Sequence, residues 1–409
     1  MSEAIVLKNL GVIDPESIDA YIGVNGYAAL KKVLSGMKSN DVVDEIKKSG
    51  LRGRGGAGFP TGLKWDFTAI LEGEKYIVCN ADEGEPGTYK DRYIMEGDPH
   101  KLIEGMIIAG YAIGAVKGYI YIRGEYNLSI KRVKKAIEDA KKKGFLGENI
   151  LNSGFSFTLE VKRGAGAYVC GEETSLINSI ESKRGYPRIK PPFPGVEGLW
   201  QKPTVVNNVE TLANVAPIIL NGANWFKGFG TTDSPGTKIF MVFGDVNKPG
   251  IVEAEMGTSM KKIIEESAGG VKGEFKAALI GGAAGSFVTS DMMDIPLDYK
   301  SLIGKGAVLG SGAILVINKE KDMKGILKNI IEFFEHESCG QCFPCRLGCK
   351  MLDELMGKCI NGEDQKENFE KMRQLSLAMK ESSLCALGQS PYMPIESAYK
   401  YFKSELTAS

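Results

Sequence analysis

The chain has 409 residues, 43% hydrophobic and 25% charged, and its 51 Lys and Arg balance its 51 Asp and Glu to a formal net charge of zero. That length supports roughly two to four domains, each with its own core, and the even charge gives no overall pull toward nucleic acid or anionic membranes. Two histidines, His100 and His336, are too few for His-based zinc sites or Ser-His triads to lead, and no side chain stands out as a catalytic acid or base.

The start of the chain has no basic stretch followed by a long apolar one, so no secretory signal is expected. The eight cysteines then read as thiols or metal ligands in a reducing, cytoplasmic setting. Segment 102–122 is the most apolar, but Glu104, Lys117 and several glycines interrupt it. It reads as a buried helix plus a strand, with no membrane insertion.

The first fifty residues are helical by pattern, with a start at Asp14-Pro-Glu-Ser17 and amphipathic stretches over 28–34 and 42–48. They lead into 50–65, GLRGRGGAGFPTGLKW, too rich in glycine for a helix or strand interior. Gly53, Gly55 and Gly58 spell the G-x-G-x-x-G fingerprint, yet Lys47-Lys48-Ser49 precede it and Pro60 and Gly62 follow, where a Rossmann turn needs a strand and then a helix. Arg52, Arg54 and Lys64 add positive charge, and Phe59, Trp65 and Phe67 add aromatic faces. The loop therefore reads as a nucleotide site of another kind.

From residue 75 the rhythm becomes β-α-β-α-β: strand 76–79, helix 99–113, strand 119–122, a lysine-rich helix 127–143, and a strand with Phe157, Leu159 and Val161 on one face. That order predicts a parallel sheet, whose ligands sit beyond the carboxyl ends of the strands. Two such ends are acidic. One carries Asn80, Asp82, Glu83 and Glu85, and the other carries Tyr168, Gly171, Glu172 and Glu173 and runs into a helix. Glutamates at a helix start would repel a phosphate, so ribose hydroxyls, amides or flavin N–H groups are their expected partners, and the phosphate falls to the glycine loop. A proline-rich stretch, 184–198, should present Phe193 on a stiff loop. Residues 205–211, with Val206, Asn207, Asn208 and Thr211, read as an Asn-capped helix start.

Beyond a polar linker at 231–236, strand 239–243, turn 244–250, helix 259–268 and strands 277–280 and 313–317 suggest a small β-grasp domain, with a glycine-rich turn at 281–285. The remainder is mostly helical and holds Cys339-x-x-Cys342-x-x-Cys345. Two successive CxxC steps are the iron–sulfur form, whereas structural zinc more often uses two separated pairs. Cys349 and Cys385 both qualify as the fourth ligand.

Together, GLRGRGGAGFPTGLKW at 50–65, CNADEGEPG at 79–87, GAGAYVCGEE at 164–173, VNNVET at 206–211 and ESCGQCFPCR at 337–346 resemble one family over nearly the whole chain. It is the NADH- and FMN-binding flavoprotein subunit of respiratory complex I, with the diaphorase subunits of NAD-linked hydrogenases and formate dehydrogenases, electron-bifurcating ones included. The resemblance implies an α/β Rossmann-like FMN domain, a β-grasp (ubiquitin-like) domain and a C-terminal helical bundle carrying an iron–sulfur cluster. The expected divisions are 1–70 for N-terminal helices and glycine loop, 71–230 for the FMN and NADH domain, 237–320 for the β-grasp and 323–409 for the 4Fe-4S domain.

It further implies that Gly53, Arg54, Gly55, Gly56, Lys64, Asn80, Asp82 and Glu83 hold FMN, and that Tyr168, Gly171, Glu172, Glu173, Val206, Asn207, Asn208 and Thr211 close the pocket. NADH would stack on the flavin with its adenine among Phe59, Phe67 and Phe193, and Glu85 near the adenine ribose would repel a 2′-phosphate. A 4Fe-4S cluster would be held by Cys339, Cys342, Cys345 and Cys385. NADH would pass a hydride to FMN, and electrons would leave singly through the cluster. The partners implied are a small thioredoxin-like 2Fe-2S subunit and a larger iron–sulfur or catalytic subunit, which would keep the chain cytoplasmic or peripheral on the inner face of a membrane. Cys349 departs from the family, where many members carry threonine. The competing readings are a flavin-free iron–sulfur relay and a ligand-binding module built on the β-grasp.

Overall fold

The computed structural model describes residues 4–407. Three helices come first: α1 (Ile18–Gly23), α2 (Ala28–Gly36) and α3 (Ser39–Ser49). The start expected at 14–17 is real, because the Ser17 hydroxyl accepts from Ala20 N at 3.2 Å. Gly50 closes α3 in the left-handed region, φ 70°, a conformation that suits glycine. The glycine loop then runs into α4 (Thr61–Ala69). Helices thus flank the loop on both sides, which agrees with the contextual case against a Rossmann turn.

A parallel sheet follows, made of β1 (Tyr76–Ala81), β2 (Lys117–Ile122), β3 (Thr158–Arg163) and β4 (Thr204–Asn208) in the order β3-β2-β1-β4. Helices α5 (Lys90–Gly97) and α6 (Pro99–Ile113) connect β1 to β2, α7 (Asn127–Lys142) connects β2 to β3, and α8 (Glu173–Ile180) precedes β4. The reading of 205–211 needs correcting. Thr204–Asn208 is a strand paired in parallel with β1, and the helix, α9 (Val209–Ala213), starts only after Asn208, whose side chain caps it by accepting from Glu210 N at 3.0 Å. Val205 and Val206 suit a buried strand, but so short a run beside two asparagines looks like a cap alone.

Helices α10 (Val215–Asn221) and α11 (Ala223–Lys227) and a hairpin of β5 (Gly230–Thr231) and β6 (Ser234–Pro235) lead to a second sheet. Its strands are β7 (Thr237–Gly244), β8 (Gly250–Glu255), β9 (Phe275–Ile280), β10 (Ser286–Val288) and β11 (Ala313–Asn318), in the order β10-β9-β11-β7-β8. Only β7 and β11 run parallel; the other neighbours are antiparallel. Helix α12 (Met260–Lys262), which widens into a π turn over Ile263–Ser267, and α13 (Tyr299–Ile303) accompany this sheet. The C-terminal part is α14 (Met323–Glu337), α15 (Phe343–Ile360), α16 (Gln365–Ser382), α17 (Ala386–Gln389) and α18 (Tyr392–Thr407). Among the described residues no helix is long and apolar enough to cross a membrane.

The core positions the sites. One face of the parallel sheet packs on the N-terminal helices through residues such as Ile77, Cys79 and Ile120. The other face, with Val78, Tyr121 and Val206, shares a continuous apolar cluster with Val169, Cys170, Phe334, Cys345 and Cys349. The cysteine run is therefore packed into the same core as the loop that ends the sheet.

Candidate functional site

Because all four strands of the first sheet run the same way, their carboxyl ends share one edge. The order β3-β2-β1-β4 puts β1 between a neighbour that follows it directly and one added later, and such a switch point opens a crevice. Asn80 on β1 and Asn208 on β4 are register partners at that crevice. Asn80 Nδ2 donates to Gly171 O at 2.8 Å and its Oδ1 accepts from Asp82 N at 3.1 Å, which ties the two acidic loops together.

The glycine loop is stapled to α9, to α13 and to the start of the second sheet. Gly53 N donates to Phe59 O at 2.9 Å and Thr61 N to Leu51 O at 2.9 Å, so the tip between them projects as a tight turn. Tyr299 Oη donates to Gly53 O at 2.7 Å, and a Cβ on Gly58, where φ is +66°, would meet the Tyr299 ring at 2.5 Å. Arg54 N donates to Thr211 Oγ1 at 2.8 Å, while its fully buried guanidinium donates to Pro235 O, Thr237 O and Arg52 O. Its charge is thus committed to the protein's own carbonyls. A Cβ on Gly55 would sit 3.0 Å from Asn208 Cβ, whereas one on Gly56 would meet nothing within 4 Å.

Several other polar residues singled out in the sequence also brace the crevice. Glu83 accepts from Asp91 N at 2.8 Å and Arg92 N at 3.0 Å and so caps α5. Asn207 Oδ1 accepts from Trp65 Nε1 at 2.8 Å. Asn208 Nδ2 donates to Asp91 Oδ2 at 2.6 Å, and Val206 is buried in β4. Beneath them lies a buried charge cluster that sequence reading missed: Glu210 contacts Lys90 Nζ at 2.9 Å and Lys238 Nζ at 3.0 Å, and Lys90 also contacts Asp91 at 2.6 Å. These charges come from α5, α9 and β7, and no local spacing links the adjacent Lys90 and Asp91 to Glu210 or Lys238. Burial pushes the Lys238 ammonium down to about 8, with Glu210 opposing.

What remains available is chemically mixed. Asp82 Oδ2 is buried without a hydrogen-bond partner, and burial pushes its carboxyl up to about 7 against the pull of Arg123. An unpaired buried carboxylate oxygen is costly and suits a ligand hydroxyl or N–H. Glu172 caps α8 through Thr174 N and Ser175 N and meets Lys190 at 2.7 Å, and Glu173 meets Lys64 at 2.8 Å and Lys190 at 3.2 Å. Burial opposes ionisation of Glu173, yet Lys64 and Lys190 outweigh it and hold the carboxyl below its ordinary range. Lys190 was not singled out in the sequence, although it lies in the proline-rich stretch that carries Phe193. Phe59, Phe67 and Phe193 are 52%, 56% and 59% exposed, unusual for phenylalanine and consistent with faces kept free for a flat partner.

Tyr168 joins the crevice to the cysteines. Its hydroxyl donates to Glu85 Oε2 at 2.6 Å, and Glu85 Oε1 accepts from Ala284 N at 3.1 Å in the turn beside the second sheet. Burial raises the Glu85 carboxyl, with these donors opposing. Tyr168 N donates to Glu337 Oε2 at 2.9 Å, two residues before Cys339.

Cys342 caps α15, which carries Cys345 and Cys349 on its inner face, and Cys385 caps α17. A Cβ on Gly388 would lie 2.8 Å from Cys345 Cβ, so α17 is pressed onto α15 and brings Cys385 to the run. Cys385 feels the charges of Cys339 and Cys345; burial pushes its thiol up to about 11, opposed by the amides of Leu387 and Gly388, which donate to its sulfur. Cys345 Sγ lies 3.9 Å from Cys349 Sγ, and that contact brings the Cys345 thiol down to about 7. Among the described residues no group of three or more His, Cys, Asp or Glu side chains is gathered so as to hold a single metal ion; thiols from two helix starts and a connecting loop, supplied with amide donors, are the donor chemistry that an iron–sulfur cluster takes.

The family model described as the Nuo51 FMN-binding domain matches residues 46–217, and that for the NADH-ubiquinone oxidoreductase-F iron-sulfur binding region matches 325–409. The NADP-reducing hydrogenase subunit HndC of Solidesulfovibrio fructosivorans is 48% identical over 99% of this chain and 83% of its own length. The F 2 subunit of the NADH-quinone oxidoreductase of Rhizobium meliloti is 46% identical over 100% of this chain and 98% of its own. Among solved structures, a subunit of an NAD+-reducing NiFe hydrogenase in the H2-reduced state superposes with a TM-score of 0.88 at 35% identity. That match covers 99% of this chain, which spans 66% of the hydrogenase subunit's length.

Proposed function

Because the chain belongs to the family of NADH-quinone oxidoreductase F subunits and related hydrogenase subunits, we propose that it is the NADH-oxidising module of a larger redox complex. It is a flavin- and iron–sulfur-dependent oxidoreductase subunit, with FMN, a 4Fe-4S cluster and NAD(H) as cofactors and substrate. Bound FMN supplies the exchange between the electron pair of NADH and the single electrons a cluster carries.

The observation that carries this reading is the double attachment of Tyr168, to Glu85 in the crevice and to Glu337 at the cysteine run. It supports placing flavin and cluster on either side of one short loop. We assign 71–230 to FMN and NADH, with 1–70 supplying the N-terminal helices and the glycine loop. The order β10-β9-β11-β7-β8 supports reading 237–320 as the β-grasp domain, and 323–409 as the cluster domain.

Within this reading the backbone of Gly53, Arg54, Gly55 and Gly56 approaches FMN, braced from behind by Thr211, Asn207 and Asn208. Lys64 and Lys190 balance Glu172 and Glu173 at the rim and leave a site that accepts an anionic cofactor without surplus charge. Asp82 receives a ligand hydroxyl or N–H, Asn80 and Gly171 fix the crevice width, and Glu83 acts through the helix it caps. Phe59, Phe67 and Phe193 offer stacking faces to NADH, and Glu85 sits where a 2′-phosphate would be repelled. Cys339, Cys342, Cys345 and Cys385 hold the cluster. A small thioredoxin-like 2Fe-2S subunit and a larger redox subunit are the proposed partners, with the chain cytoplasmic or held at a membrane's inner face by them.

The test is to load the chain with FMN and measure NADH oxidation by ferricyanide. Activity that depends on FMN and falls in Lys64→Ala supports the assignment; equal activity with and without FMN overturns it.

A further inference from the structure

The Cys345 sulfur is crowded by side chains, Ser338 and Cys349 among them, with the Cys342 thiol also within hydrogen-bonding reach. Ser338 Oγ lies 3.2 Å from it and Cys349 Sγ lies 3.9 Å from it. Ser338 ends α14, one residue before Cys339. Cys349 is one helical turn beyond Cys345 on α15, so both face inward, and they are 1% and 4% exposed respectively. In the metal-free chain either atom of each contact could donate. A cysteine bound to iron has lost its proton, which leaves Ser338 O–H and Cys349 S–H as donors and the Cys345 sulfur as acceptor.

Cys349 is not among the four cysteines assigned to the cluster, and at 3.9 Å its thiol stands within hydrogen-bonding distance of one of them, Cys345.

Resting on the cluster assignment above, we propose that Ser338 and Cys349 are positioning residues that donate to the Cys345 thiolate and set the cluster at a higher reduction potential than the cysteines alone would. Reduction adds negative charge to the cluster, and part of it resides on the ligand sulfurs. Donors aimed at one of those sulfurs stabilise the reduced form more than the oxidised form, and hydrogen bonds to sulfur are an established control on such potentials. Because Cys349 is sealed from solvent, water cannot replace the donor when it is removed.

The experiment is an EPR-monitored redox titration of the full, reconstituted chain, with iron and sulfide counted in each sample. Ser338→Ala and Cys349→Ala should each keep the wild-type iron content and titrate at a more negative potential, and the double variant should titrate lower still. Cys349→Thr, which restores an O–H donor, should return toward wild type and serves as the folded control. Unchanged potentials in both alanine variants overturn the proposal. So does loss of iron in both Cys349→Ala and Cys349→Thr, which would make Cys349 a ligand. If the wild-type chain takes up no cluster, the cluster assignment fails first and the proposal falls with it.

Discussion

The backbone amide of Tyr168 donates to the Glu337 carboxylate at 2.9 Å across 169 residues of sequence. The same residue's hydroxyl reaches Glu85 at 2.6 Å, so one side chain and its own peptide fasten the acidic loop of the crevice to the start of the cysteine run. Tyr168→Phe removes the donor from a buried carboxylate and should cost about 1–3 kcal/mol in chemical denaturation, with iron content unchanged. A variant as stable as wild type would mean that this bond contributes nothing to holding the parts together.

Glu85 should govern the choice between the two nicotinamide nucleotides. A carboxylate facing a phosphate is an unpaired like-charge contact, and Glu85→Gln keeps the acceptor for Tyr168 while removing the charge. The ratio of kcat/KM for NADPH over NADH should rise by about tenfold or more, since like charges brought together cost several kcal/mol. An unchanged ratio would remove Glu85 from the neighbourhood of the ribose.

Asp82 should make the flavin-free protein less stable as pH rises. Burial lifts its folded-state pKa to about 7, so between the ordinary carboxylate range and about pH 7 the folded chain holds a proton that the unfolded chain has released. Stability from this group is present at low pH and gone above about pH 7. Asp82→Asn does not titrate, so its advantage over wild type should grow from near zero at about pH 4 to on the order of 1 kcal/mol at about pH 8, after allowance for solvent. Urea denaturation at several pH values checks this, and a gap that is flat or shrinks with pH contradicts it.

The buried charges under Asn208 should be mutually dependent. Lys238→Met leaves Glu210 with Lys90 as its one contacting ammonium, beside the Ile239 amide, and should cost about 3–5 kcal/mol, the usual penalty for breaking a buried pair. Adding Glu210→Gln should recover part of that loss, which a double-mutant cycle in denaturant would reveal. Strict additivity would show that the two groups do not interact.

The chain order made the sheet and the site neighbourhood legible. Strand 76–79 and helix 99–113 follow from local pattern alone, because β-branched runs and a proline start with a glycine stop leave few alternatives. Strand β4 was hidden because its two valines abut an asparagine pair that truly is a cap. The roles of Arg54, Glu83 and Asn208 were only half legible: their chemistry suggests ligand contact, yet their side chains are spent on carbonyls, helix amides and Asp91. For Glu83 the bracing partner is the nearby start of α5, but for Lys64 and Asn208 it lies more than a hundred residues away, at Glu173 and Asp91. A sequence motif shows that these residues meet, but not which way they turn.

The most direct measurement is anaerobic addition of NADH to the chain loaded with FMN and the cluster, with flavin absorbance and cluster EPR followed together. In the wild type the flavin should bleach and the reduced-cluster signal should appear, whereas in Cys385→Ser the flavin should bleach with no cluster signal. A wild-type chain whose flavin bleaches while its intact cluster stays oxidised, or whose flavin does not respond to NADH, would contradict the account.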